Sequence, residues 1–177
     1  MKRISYDDYF FKIADAAASR SACLSRKLGA VIVKDNSIIS TGYNGPSRGI
    51  PHCDERQGPD GNDNYLIAAF LKEGKECDPN ICPRYSLGYK SGQGLHLCPA
   101  THAEINAIAD AARRGVSVLG STLYLNWVIP CSNCLKAIIN AGIVEVVVRT
   151  LSTYDPMSEF LIRNSNLKIR VFNPMEE

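Results

Sequence analysis

Residues 102–149 read HAEINAIADAARRGVSVLGSTLYLNWVIPCSNCLKAIINAGIVEVVVR. Two segments of helical periodicity alternate here with two short apolar runs. The pattern predicts a helix from about His102 to Arg114, stopped at Gly115, and a strand from Thr122 to Trp127. A second helix should run from Cys131 to Asn140, stopped at Gly142, and a second strand from Ile143 to Arg149. Strands that alternate with helices pack as layers, so the fold class is α/β, with helices covering a mixed sheet.

Upstream, Tyr9, Phe10, Ile13, Ala14 and Ala17 recur at helical spacing and predict a first helix over about residues 6–21. The run Leu28–Val33, a turn at Asp35-Asn36 and the segment Ile38–Thr41 form a predicted hairpin. Gly42 to Asn64 is dense in turn residues and reads as loop, and Tyr65–Glu73 reads as helix. Downstream, a helix near residues 156–164 and a strand Lys168–Phe172 close the chain. Residues 1–177 are expected to form a single domain with a Cys-, Gly- and Pro-rich insertion at about residues 74–99. That insertion holds Cys77, Cys82, His96 and Cys98, and a structureless stretch of such length calls for a function or a staple.

Apolar residues make up 45% of the 177, enough for a globular core. Lysine and arginine total 20 against 18 acidic residues, a formal net charge of +2. So even a balance argues against a nucleic-acid partner held by bulk charge. No apolar window approaches the roughly 20 residues of a membrane span, and no signal peptide is evident. The seven cysteines are an odd number without a secretion signal, which favours reduced thiols over a disulfide framework. A soluble, cytoplasmic protein is expected.

The chemistry concentrates in His102-Ala103-Glu104 and Pro130-Cys131-Ser132-Asn133-Cys134. Cys131 and Cys134, three apart at a helix start, lie on one face, and the helix dipole there favours thiolate. With His102 they make three ligands, the number that leaves a catalytic zinc one open position for solvent. Residues two apart in a regular helix diverge, so His102 must sit at the irregular start of its helix for Glu104 to work beside it. Zinc makes a water acidic enough to attack near neutral pH, and Glu104 is the catalytic group that would carry its proton. A bare Cys-x-x-Cys pair fits a redox dithiol or a structural knuckle equally well, but neither has a use for Glu104.

The pairing of these motifs matches the signature of zinc-dependent nucleobase deaminases. With Arg26-Lys-Leu-Gly-Ala-Val-Ile-Val, Gly42-Tyr43-Asn44-Gly45, Cys98-Pro-Ala-Thr and Asn106-Ala-Ile, the chain resembles the deoxycytidylate deaminases of the cytidine deaminase superfamily. The resemblance implies a three-layer fold with helices on both faces of a mixed sheet. It implies hydrolysis of deoxycytidine monophosphate (dCMP) to deoxyuridine monophosphate (dUMP) and ammonia. It further implies a homo-oligomer, with a hexamer favoured. Deoxycytidine triphosphate (dCTP) would activate and thymidine triphosphate (dTTP) inhibit, with Mg²⁺ on the effector nucleotide.

By the same likeness Asn44, Ala103 and Tyr154 are substrate-binding candidates, Arg26 and Arg113 candidates for the phosphate, and Gly45 and Arg48 candidates for the effector. Asn44 also fits a plain turn residue, Tyr154 a helix staple, and the two arginines solvated charges. Some relatives bind a second, structural zinc, for which Cys23, Cys53, His96 and Cys98, or Cys82, are candidates. Two other functions stay open: a deaminase of another nucleobase, nucleoside or nucleotide on the same fold, and a non-enzymatic zinc module.

Overall fold

In the computed structural model, residues 3–53, 80–90 and 92–172 are described. Cys77 and the predicted helix Tyr65–Glu73 lie outside them. The chain divides into two compact units. The first holds residues 1–21, 28–44 and 102–177, and the second residues 22–27 and 45–101.

The first unit is built on a five-stranded sheet. Its strands are β1 (Gly29–Lys34), β2 (Ser37–Tyr43), β5 (Thr122–Val128), β6 (Glu145–Thr150) and β7 (Lys168–Val171), in the order β2-β1-β5-β6-β7. β1 pairs antiparallel with both β2 and β5, while β5, β6 and β7 run parallel. The sheet is therefore mixed, as expected. β1 and β2 form the predicted hairpin, and its turn residues Asp35 and Asn36 have φ of 49° and 56°. Two successive left-handed residues match the twist of a tight hairpin.

Helices cover both faces. In β1, Val31 and Val33 join Phe10, Phe11 and Ala14 of α1 (Tyr6–Ala18), along with Tyr124, Val147 and Phe172. The alternate residues Ala30 and Ile32 face the opposite way. They pack with Ala103, Ala107 and Ala111 of α3 (Ala103–Arg113) and with Leu135 and Ile138 of α4 (Ser132–Asn140). Leu161 of α5 (Pro156–Arg163) joins that second layer. Burial on both sides explains why β1 and β6 read as unbroken apolar runs. This is the three-layer α/β arrangement.

Two glycines let helices approach the sheet. A Cβ on Gly29 would lie 1.9 Å from the Ala14 carbonyl oxygen, and one on Gly42 would lie 2.2 Å from that of Ala103. Gly42 is thus part of β2 and not of the loop predicted from that point, because the ladder continues to the Gly29–Tyr43 pair. Conversely α1 stops at Ala18, short of residue 21, and the buried Ser21 hydroxyl donates to the Asn44 carbonyl instead.

The second unit carries a two-stranded antiparallel sheet of β3 (Gly45–Pro46) and β4 (Ala100–Thr101), which the loop reading did not foresee. A short helix α2 (Pro83–Ser86) and a 3-10 turn at Leu95–Leu97 interrupt the insertion. The Ser25 and Tyr85 hydroxyls hydrogen-bond at 2.6 Å. Among the described residues, no helix is long and apolar enough to cross a membrane.

Candidate metal centre

The centre is assembled where two helices begin. His102 is the N-cap of α3 and Cys131 the N-cap of α4, each with extended backbone (ψ of 155° and 161°) and neither making a side-chain capping bond. An N-cap side chain normally turns back to accept an orphan N–H of its own helix. Here both are turned toward each other. Cys134, at the third position of α4, lies on the side of the first turn that an N-cap side chain also reaches.

The ligand-type atoms of His102, Cys131 and Cys134 all lie within 4.8 Å of one another. His102 Nδ1 is 3.5 Å from Cys131 Sγ and 3.3 Å from Cys134 Sγ. Tetrahedral zinc with ordinary Zn–N and Zn–S bonds would set an N···S edge of about 3.6 Å, so little movement separates this trio from a ligand set. One imidazole and two thiols also suit a borderline-soft ion. Three donors converge, as expected from the spacing.

The protons report the same crowding. The Cys134 hydrogen bond, opposed by burial and aided by His102, holds the Cys131 thiol down at about 4. Cys134, which supplies that hydrogen bond and is itself buried, is pushed up.

Glu104, in the first turn of α3, is only 3% exposed. Its Oε2 is buried with no hydrogen-bond partner. Burial raises its carboxyl above the ordinary value, against the opposing pull of the His102 charge. A carboxylate kept dry and half-satisfied beside three metal-ligand atoms is arranged for proton transfer.

The other candidates are placed less uniformly. Ala103 is fully buried between α3 and the sheet. Asn44 is buried as well, and its Oδ1 accepts from Leu28 N at 2.7 Å. Tyr154, 43% exposed, lies just before Asp155, the N-cap of α5. Arg113 stands at the other end of α3, about 16 Å of helix rise from His102, ion-paired with Asp110 at 2.7 Å. The structure does not bring Arg113 to the three donors. Arg26, Gly45 and Arg48 belong to the second unit.

Cys23, Cys53, Cys82, His96 and Cys98 lie in that unit too. Among the described residues, His102, Cys131 and Cys134 form the single group of three or more donors close enough for a metal. The second-zinc set does not assemble there, and the His96 ring instead packs edge-on to Tyr89.

Two supporting residues had no role assigned to them from the sequence. Asn106 Nδ2 donates to the Tyr43 carbonyl at 2.8 Å, tying α3 to the turn that carries Asn44. Asp155 caps α5 through Ser158 N at 2.8 Å. The dipeptide Asp155-Pro156, a capping residue followed by proline, was the available signal.

A layered α/β unit with a His-Cys-Cys cradle at paired helix starts and a buried glutamate has the makings of a metal-site protein. Comparison with known proteins narrows this class. The family model for the cytidine and deoxycytidylate deaminase zinc-binding region matches residues 4–150. The deoxycytidylate deaminase of Enterobacteria phage T4 is 38% identical over 172 residues, covering 92% of this chain and 86% of that protein. That of Saccharomyces cerevisiae is 34% identical over 177 residues, covering 100% of this chain and 48% of that protein. The chain spans about half the length of the two yeast relatives it matches. The crystal structure of dCMP deaminase from the cyanophage S-TIM5 superposes with a TM-score of 0.64 at 23% identity, covering 97% of this chain and all of that one. The chain belongs to the cytidine and deoxycytidylate deaminase family.

Proposed function

We propose that the chain is a zinc-dependent deoxycytidylate deaminase, hydrolysing dCMP to dUMP and ammonia. The observation that carries this reading is the convergence of His102, Cys131 and Cys134 beside the buried, half-satisfied Glu104. The names of the relatives supply the substrate class.

His102, Cys131 and Cys134 would hold the ion. Bound there, zinc supplies the Lewis acidity that makes water nucleophilic near neutral pH. Glu104 takes up the proton that the water releases and delivers it to the ring nitrogen of cytosine, which makes the adjacent carbon electrophilic. Its raised carboxyl suits both steps, since an acid-base group works best when its pKa nears the working pH. A second proton transfer through Glu104 lets the amino group leave as ammonia. Water and dCMP enter; dUMP and ammonia leave.

Asn44, whose oxygen already accepts from Leu28 N, contacts the sugar hydroxyl. Ala103 and Tyr154 border the base, and Arg26 serves the phosphate. Activation by dCTP, inhibition by dTTP, Mg²⁺ on the effector, an effector loop at Gly45–Arg48 and a hexameric assembly are carried by the family resemblance, and one functional domain over residues 1–177 by the length of the chain. A cytoplasmic setting follows from the need for reduced thiols.

Ammonia release from zinc-loaded protein, measured across dCMP, dCTP, deoxycytidine and cytosine with and without the two triphosphates, tests the whole reading. Preference for dCMP with equimolar dUMP supports it. No ammonia from any of the four would end it, and hyperbolic kinetics indifferent to both triphosphates would remove the regulation.

A further inference from the structure

Asn44 extends the β1–β2 ladder through its side chain. Gly29 pairs with Tyr43, so Leu28 and Asn44 stand opposite each other as the next pair. Asn44 N donates to the Leu28 carbonyl at 3.1 Å. In an antiparallel pair of this kind the two residues exchange both N–H···O bonds, and Leu28 N would return to the Asn44 carbonyl. It goes to Asn44 Oδ1 instead, at 2.7 Å. The carbonyl it bypasses accepts from the Ser21 hydroxyl, also at 2.7 Å.

Two oxygens of one residue can therefore serve one N–H, and Ser21 bears on which of them does. An asparagine side chain competes with backbone pairing at such positions. Here it does so in a buried place, since Ser21 is 2% and Asn44 5% exposed. A buried carbonyl without a donor is costly, so Oδ1 holds Leu28 N only while the carbonyl has a partner elsewhere. Ser21 supplies that partner from a fixed point, because its own N–H donates to the carbonyl of Ala18, the last residue of α1. That helix lies against β1, where a Cβ on Gly29 would meet the Ala14 carbonyl oxygen at 1.9 Å.

We propose that Ser21 is a positioning residue for the substrate. Its hydroxyl keeps the Asn44 carbonyl away from Leu28 N, reserves that N–H for Oδ1, and so orients the Asn44 amide toward the sugar hydroxyl. The inference rests on the reading of Asn44 and dCMP above. Without the hydroxyl, the carbonyl returns to Leu28 N as in an ordinary ladder, and the amide loses its anchor.

Steady-state kinetics on dCMP are measured with zinc-loaded wild type, Ser21→Ala, Ser21→Thr, Asn44→Ala and the double variant Ser21→Ala/Asn44→Ala, with thermal unfolding in parallel. Losing one hydrogen bond of ordinary net strength weakens binding by about 2–12-fold. Ser21→Ala is expected to raise KM by that factor with kcat nearly unchanged, the pattern of lost uniform binding. Ser21→Thr, which keeps the donor, should have a KM nearer to that of wild type. On the Asn44→Ala background, Ser21→Ala should leave KM within about twofold, because the amide it orients is gone.

If Ser21→Ala does not fold, Ser21→Cys, whose thiol is a weak donor, must by itself raise KM. An unchanged KM in Ser21→Ala would confine Ser21 to stability and overturn the proposal. An equal rise on both backgrounds, or a fall in kcat at constant KM, would show that Ser21 does not act through the Asn44 amide and would overturn it too. Active wild type with an unaltered KM in Asn44→Ala would remove the role of Asn44, and this inference with it. Wild type that releases no ammonia from dCMP would instead overturn the proposed function itself.

Discussion

Gly42 lies against Ala103 so closely that a Cβ would meet the Ala103 carbonyl oxygen at 2.2 Å and the Ala107 amide nitrogen at 2.4 Å. Both contacts are backbone, which cannot swing aside as a side chain would. The N-terminal turn of α3 carries His102 at its cap and Glu104 inside it, so the height of this turn above β2 sets the height of the site. Gly42→Ala should lower stability by about 1–3 kcal/mol, the usual range for overpacking, and reduce activity with it. Urea unfolding and a zinc stoichiometry check this. An unchanged midpoint with full activity would show that α3 can lift without consequence.

On the other face of the sheet, Asp7 of α1 accepts from the Tyr124 hydroxyl at 2.7 Å and from two nitrogens of Arg170, whose Nε also reaches Glu145 at 3.4 Å. The Arg170 hydrogen bond is the main cause that holds the Asp7 carboxyl below its ordinary value of 3.8. A depressed carboxyl contributes stability that is present above its unfolded pKa and lost as pH falls through the folded one. Arg170 is 40% exposed, so solvent screens the pair and the effect is modest. Asp7→Asn should lower the unfolding temperature by a few degrees near neutral pH, and the difference should close below about pH 4. A gap that persists in acid would assign the loss to packing and not to charge.

The parts of this protein legible in its sequence are those set by short spacing. Cys131 and Cys134 are neighbours on any helical turn, and a His-x-Glu pair at a helix entrance can converge only if the histidine is the cap, as His102 is. The strand character of β1 was equally readable as an apolar run, but a run buried on both sides does not tell which residue faces which helix layer. Distances across the chain were not readable. Arg113 looks well placed for a phosphate until the length of α3 is counted. Cys23, Cys53, His96 and Cys98 suggest a ligand set by type alone, while their separation depends on the path of the intervening loops. The two-residue strands β3 and β4 carry no periodicity to read, and the strand end at Gly42–Tyr43 was hidden by turn-like residues that the β1 ladder overrides.

Asn106 shows how such a hidden contact bears on function. Its bond to the Tyr43 carbonyl, 2.8 Å long, fixes the exit of β2 one residue before Asn44. A single hydrogen bond contributes about 0.5–1.5 kcal/mol net. If the turn presents Asn44 to the sugar, Asn106→Ala should raise KM for dCMP by up to about tenfold, with kcat nearly unchanged. Steady-state kinetics at saturating zinc decide it. A fall in kcat with KM constant would move the role of Asn106 from the sugar to the reacting ring.

Glu104 supplies the sharpest separation of stability from chemistry. Its carboxyl is raised by burial and its Oε2 has no partner, so the folded protein binds this proton more tightly than the unfolded chain. The stability it contributes is therefore complete below its ordinary value of 4.5 and is lost as pH rises through the folded value. Glutamine carries no charge to bury. Metal-free Glu104→Gln should accordingly unfold at higher denaturant concentration than metal-free wild type, by a margin that widens from about pH 5 to about pH 8. The same variant, zinc-loaded, should retain one zinc per chain and lose about 10²–10⁴-fold in kcat, because the amide can neither take the proton nor return it. An active Glu104→Gln would remove the proton carrier from the reaction, and a variant that is both inactive and less stable at every pH would make Glu104 a structural residue.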